Sequence, residues 1–109
     1  MTTKQRRKID ILGVSFTLVR NLKKMPDKED HGETNIIDRK IYLNPVKNKT
    51  HDEMASTLLH EVIHAILGVS GQDKFINEEH EEGLVTVLEH GLYPLIKNGV
   101  FNKVEHEGE

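Results

Sequence analysis

The spacing of apolar positions changes character near residue 50. Between Ile9 and Val19 the apolar residues Ile9, Ile11, Val14, Phe16 and Leu18 nearly alternate with polar ones. A two-residue repeat places one face of a strand in a core, so this stretch predicts one or two strands with Gly13 as a bulge or bend. Pro26, Asp27, Asp30 and Gly32 mark residues 23–33 as a loop. Thr34–Ile37 and Lys40–Leu43 read as two short strands flanking Asp38-Arg39, a hairpin closed by Asn44-Pro45.

After residue 50 the repeat is helical. At about 100° per residue, Leu58, Leu59, Val62, Ile63, Ala65 and Ile66 gather into one broad stripe. Thr50 followed by Glu53 has the form of a capping box, which starts this helix near His51. It is expected to run to Leu67, with Gly68 as its stop. A second amphipathic run carries Leu84, Val85, Val87, Leu88, Leu92, Leu95 and Ile96. Asn77 is its expected N-cap, and Glu78, Glu79, Glu81 and Glu82 crowd its first turns, where carboxylates suit the helix dipole. Pro94 predicts a kink or break between His90 and Tyr93.

Strands followed by helices over 109 residues make one domain with a single modest core. The ends, 1–8 and 102–109, are expected to fray. A net charge of −3 is too weak to argue for nucleic acid or an acidic substrate. The absence of cysteine removes disulfides, thiolate metal sites and a cysteine nucleophile together. No apolar run approaches the roughly 18 residues of a membrane span, and the basic start is followed by no long apolar segment. The expectation is a cytoplasmic protein without membrane or nucleic-acid partners.

The chemistry concentrates at His60-Glu61-Val62-Ile63-His64. Four residues apart on a helix, His60 and His64 leave one face about a turn apart, opposite the apolar stripe. That separation lets two imidazole nitrogens reach one tetrahedral zinc at about 2.0–2.1 Å. Glu61 stands on the rim of that face, placed to act as a general base rather than a ligand. His51 lies about 13 Å further along the axis, too far to share the metal. A third ligand has to come from elsewhere. Leu67 and Ser70 occupy the positions where metzincins carry glycine and histidine, which excludes that class. A carboxylate from a second helix remains, and Glu82 stands eighteen positions after His64 across a glycine-containing connection. Glu81 is the alternative: its helical phase lies nearer the apolar stripe, although that register puts Gly83 and Thr86 at packing positions.

The segment Thr57-Leu58-Leu59-His60-Glu61-x-x-His64-Ala65-Ile66, with Glu82-x-Leu84-Val85-x-x-Leu88-x-x-Gly91-Leu92-Tyr93, resembles the small zinc metallopeptidases of the ImmA/IrrE type. These gluzincin-like proteins are common in bacteriophages and mobile elements. The resemblance is strongest over residues 50–98. It implies an α+β, zincin-like fold: a short twisted β-sheet packed on an HExxH metal helix, followed by a glutamate-bearing helix. It also implies Zn2+ held by His60, His64 and Glu82 with water in the fourth position. Thr86 falls where such proteins often place an Asn or Asp that orients a ligand histidine.

On this reading the chain is a zinc-dependent metallopeptidase that hydrolyses a peptide bond by zinc-activated water, with Glu61 as general base. The expected substrate is a peptide or protein, one particular partner presenting an extended loop to a strand edge. Tyr42 is the one strand residue in view as an oxyanion donor. The alternatives are a zinc-stabilised protein-binding module and a phage accessory protein without peptidase activity. The oligomeric state is open.

Overall fold

The computed structural model describes residues 7–105, so the fraying expected of residues 1–6 and 106–109 falls outside the described residues. Within them the chain is α+β, a four-stranded sheet and two long helices. Strands β1 (Arg7–Ile11), β2 (Val14–Val19), β3 (Gly32–Asn35) and β4 (Lys40–Leu43) precede helices α1 (His51–Ser70) and α2 (Glu78–Lys97). Arg7 and Lys8 therefore belong to a strand rather than to a frayed end. Near the other end, Val100–Asn102 forms a short 3-10 turn.

The first apolar run is a tight hairpin. Ile11 pairs with Val14, and the two residues between, Leu12 and Gly13, both have positive φ. Two successive left-handed residues match the twist of the flanking strands, so Gly13 sits in the turn itself. β2 then pairs in parallel with β4, and β4 pairs antiparallel with β3, giving the order β1-β2-β4-β3. β3 is an edge strand.

The second hairpin is shifted from its expected place. Ile36 and Ile37 are turn, not strand, and Ile37 is 92% exposed. Asn35 accepts from the Asp38 backbone N–H at 2.9 Å, and Arg39 takes a left-handed φ of 57°. This side-chain-closed turn outweighs the strand preference of two isoleucines. Ile36 instead lies over Gly68, where a Cβ would stand 2.7 Å from its Cδ1.

That close approach accounts for the true length of α1. Gly68 is inside the helix, and the helix ends at Ser70 with Gly71 in the left-handed cap, φ 80°. At its start the capping box forms as the sequence indicates, Thr50 accepting from the Glu53 N–H and Glu53 reaching back to the Thr50 N–H. α2 continues through Pro94 without a break. The missing N–H frees only the carbonyl of His90, an exposed residue, where water can satisfy it. The last turn is held by Asp52 of α1, which accepts from the Tyr93 hydroxyl at 2.8 Å and from Lys97 Nζ at 2.6 Å. Those two partners, Lys97 first, keep the Asp52 carboxyl below its ordinary range.

The core lies between the sheet and α1. Ile11, Phe16, Leu18, Ile41, Leu43 and Ala65 are buried together, and Met54, Leu58, Val62 and Val69 pack against them from α1. α2 packs on α1 rather than on the sheet. Two buried asparagines anchor the loop before β3. Asn44 Nδ2 donates to the carbonyls of Lys28 and Asp30, both at 3.0 Å, and its Oδ1 accepts from the Val46 and Lys47 N–H groups. Asn48 donates to the His31 and Asn44 carbonyls and accepts from the Thr57 hydroxyl. The network fixes β3 beside α1.

Candidate metal centre

A cleft of about 710 Å³ opens between β3 and the two helices, lined by Thr34, His60, Glu61, His64, Glu81, Glu82 and Glu89 among others. His60 and His64 reach it from α1, with ring centroids 5.0 Å apart. The i, i+4 spacing sets that separation, and Ala65, fully buried on the sheet side, fixes which way the helix faces.

Each imidazole is held from behind by a carboxylate of α2. His60 Nδ1 donates to Glu89 Oε1 at 2.9 Å, and His64 Nδ1 donates to Glu81 Oε2 at 2.7 Å. Glu89 is further held by the hydroxyl of Ser56, one turn before His60. With the protons placed on Nδ1, the lone pair of each neutral ring lies on Nε2. Both Nε2 atoms face Glu82: His60 Nε2 is 3.0 Å from Oε2, and His64 Nε2 is 2.9 Å from Oε1.

Two imidazole lone pairs aimed at one carboxylate repel unless positive charge sits among them. Protons on both rings would supply it, and so would a cation. His60, His64 and Glu82 each offer a ligand atom within 4.8 Å of the others, so the three could hold a metal ion. A tetrahedral ion with bonds of about 2.0–2.1 Å needs ligand atoms about 3.3 Å apart, so the Nε2–carboxylate contacts need open by only a few tenths of an ångström. The donor chemistry fits: two neutral nitrogens and one oxygen, with each ring's far nitrogen bonded to a carboxylate, as ligating histidines are usually oriented. The surrounding charge fits too, since Glu61, Glu81, Glu82 and Glu89 bring four carboxylates to two imidazoles.

Glu61 is 6% exposed and stands between the ligand face and β3. Thr34 Oγ1 on the edge strand lies 2.7 Å from Glu61 Oε1 and 3.0 Å from its backbone oxygen. Burial raises the Glu61 carboxyl above its ordinary range; the Thr34 hydrogen bond and the two imidazoles pull the other way without cancelling it. For His64 burial works against the charged form, yet Glu81 and Glu82 outweigh it and hold the ring above its usual value.

The sequence-derived candidates therefore separate by position. Glu82 faces both Nε2 atoms; Glu81 lies behind His64. Glu89 and Ser56 were not among them, although Glu89 follows Glu82 by seven residues, about 20° away on the same helix face. Thr86, at the position where such proteins often carry Asn or Asp, is not a partner of either ring; Glu89 and Glu81 hold the two Nδ1 atoms. Thr34 carried no signal at all, because its contact spans 27 residues from strand to helix. Tyr42 alternates with the buried Ile41 and Leu43 and so projects to the outer face of the sheet, away from the cleft. His51, His80 and His90 are exposed and take no part, whereas His31, also exposed, lines the cleft mouth.

Removing the Glu89 carboxylate leaves His60 Nδ1 and Ser56 without their partner. If the three groups hold a metal ion, Glu89→Ala is expected to weaken its binding by about 10- to 100-fold, as read by competition with a chromophoric chelator.

Comparison of the chain with protein families, curated proteins and solved structures finds no match. Among the described residues no helix is long and apolar enough to cross a membrane.

Proposed function

We propose that this chain is a zinc-dependent metallopeptidase with a minimal gluzincin-like, zincin-type site of the ImmA/IrrE kind. One observation supports it above the rest: both Nε2 atoms converge on Glu82 while partly buried carboxylates hold both Nδ1 atoms, with buried Glu61 alongside. His60, His64 and Glu82 would hold the ion. Zinc bound there supplies a Lewis acid and lowers the pKa of water to about 7.

The chain's own groups do the remainder. Glu61, its Oε1 steadied by Thr34, accepts a proton from the attacking water and returns it to the leaving amine. Glu81 and Glu89 keep the rings in one tautomer and orientation. The free edge of β3 offers main-chain donors and acceptors to an extended peptide. A purely structural metal site has no use for a buried acid in Glu61's position, which weighs against a zinc-stabilised binding module.

The proposal is tested with the full chain and an extended peptide containing a candidate cleavage site. Hydrolysis is expected with zinc, to be lost on chelation and to return when zinc is added back. Equal turnover in the presence of excess chelator would contradict it.

A further inference from the structure

β3 is one of the two outer strands of the described sheet, and its residues Gly32, Glu33 and Thr34 line the cleft. A peptide adding to that edge would alternate its side chains between the helix side and the outer face of the sheet. Directly over β3 the helix side is occupied by α1 side chains, and the cleft opens beyond them. A Cβ at Gly32 would lie 2.9 Å from Thr57 Cγ2 and 3.2 Å from Glu61 Cγ, and Thr34 is bonded to Glu61. Alternation sends Glu33 to the outer face, opposite Tyr42 on β4.

There Glu33 meets more negative charge. Partial burial, then repulsion from Asp30 and Asp27, raises its carboxyl above the ordinary range. Asp30 also lines the cleft. Among the described residues, no lysine or arginine forms an ion pair with Glu33, Asp30 or Asp27; the nearby Lys47 is paired with Glu29. Nor is this crowding a passing arrangement of a loose loop, because buried Asn44 holds the carbonyls of Lys28 and Asp30. An edge position with an acid, two further acids beside it and no cation is complementary to a basic side chain placed directly across the strand pair.

We propose that Glu33, supported by Asp30 and Asp27, selects peptides carrying lysine or arginine at the position that pairs opposite it on the free edge of β3. This rests on the peptidase reading above and names the class of substrate the cleft takes.

Binding, rather than turnover, tests it. The zinc-loaded full chain carrying Glu61→Gln is titrated against labelled extended peptides in which a single lysine or glutamate is walked along the sequence. At one position the lysine peptide should bind roughly five- to tenfold tighter than its glutamate counterpart. The preference should vanish in Glu33→Gln, reverse in Glu33→Lys, and shrink as salt rises. No preference at any position, or one that Glu33→Lys leaves unchanged, overturns the inference. A charge preference in binding without cleavage by the parent chain contradicts the peptidase reading alone. Cleavage indifferent to the lysine contradicts the selection by Glu33 alone.

Discussion

Glu61→Gln is expected to end peptide hydrolysis while zinc remains bound in one-to-one ratio to the chain. Glutamine keeps the shape of the side chain and an oxygen that can still accept from Thr34 Oγ1. It cannot take a proton from water. Loss of a general base costs about 10²- to 10⁴-fold in rate, and in the mechanism proposed the same group serves both proton transfers, which places the effect at the upper end. The metal should be unaffected, because Glu61 is not among the converging ligand atoms. Folding should be unaffected or improved, since burial already disfavours the charged form of this carboxyl and the amide carries no charge. Steady-state kcat/KM, zinc per chain by elemental analysis and a thermal melt together check it. A variant that cleaves like the parent removes Glu61 from the mechanism.

The second large effect separates the two neighbouring acids of α2. Glu82→Ala removes the carboxylate that both Nε2 atoms face, leaving two imidazoles and solvent to hold the ion. Glu81→Ala leaves all three converging atoms and removes only the partner of His64 Nδ1. The Glu81 variant is therefore expected to lose about 10- to 100-fold in zinc affinity, and the Glu82 variant substantially more than that. Chelator competition on both proteins under one buffer measures the difference. The reverse order would make Glu81 the ligand. Its side chain would then have to swing from the Nδ1 side of His64 to the Nε2 side.

Local signals carried α1 almost whole into the sequence reading. A capping box, a continuous apolar stripe and a four-residue histidine spacing are all interactions within one or two turns, so they are visible without tertiary knowledge. Its end was misplaced because Gly68 has two possible uses. It can stop a helix, or it can let another segment lie against one, and Ile36 decides for the second from 32 residues away. β3 slipped by two residues for a related reason: Ile36-Ile37 has strand composition, but Asn35 and Asp38 close a turn across it. At Pro94 backbone sterics alone predict a break, whereas Asp52 ties down the turn beyond it.

At the site the pattern repeats. His60, Glu61 and His64 share one helix, and their mutual placement follows from 3.6 residues per turn. Glu82 depends on how α2 is set against α1, and a one-residue error in phase exchanges it for Glu81. The contacts furthest from view were those bridging elements, Thr34 to Glu61 and Glu89 to His60. They exist only once β3, α1 and α2 have packed.

The central claim is that His60, His64 and Glu82 bind one ion and leave room for solvent. A crystal structure of the zinc-loaded chain tests it most directly. The expected result is a single zinc about 2.0–2.1 Å from Nε2 of both histidines and from a Glu82 oxygen, with water in the remaining position and Glu61 outside the coordination sphere. Zinc ligated by Glu61 or closed by a fourth side chain would contradict the account, as would an absence of zinc between the two rings.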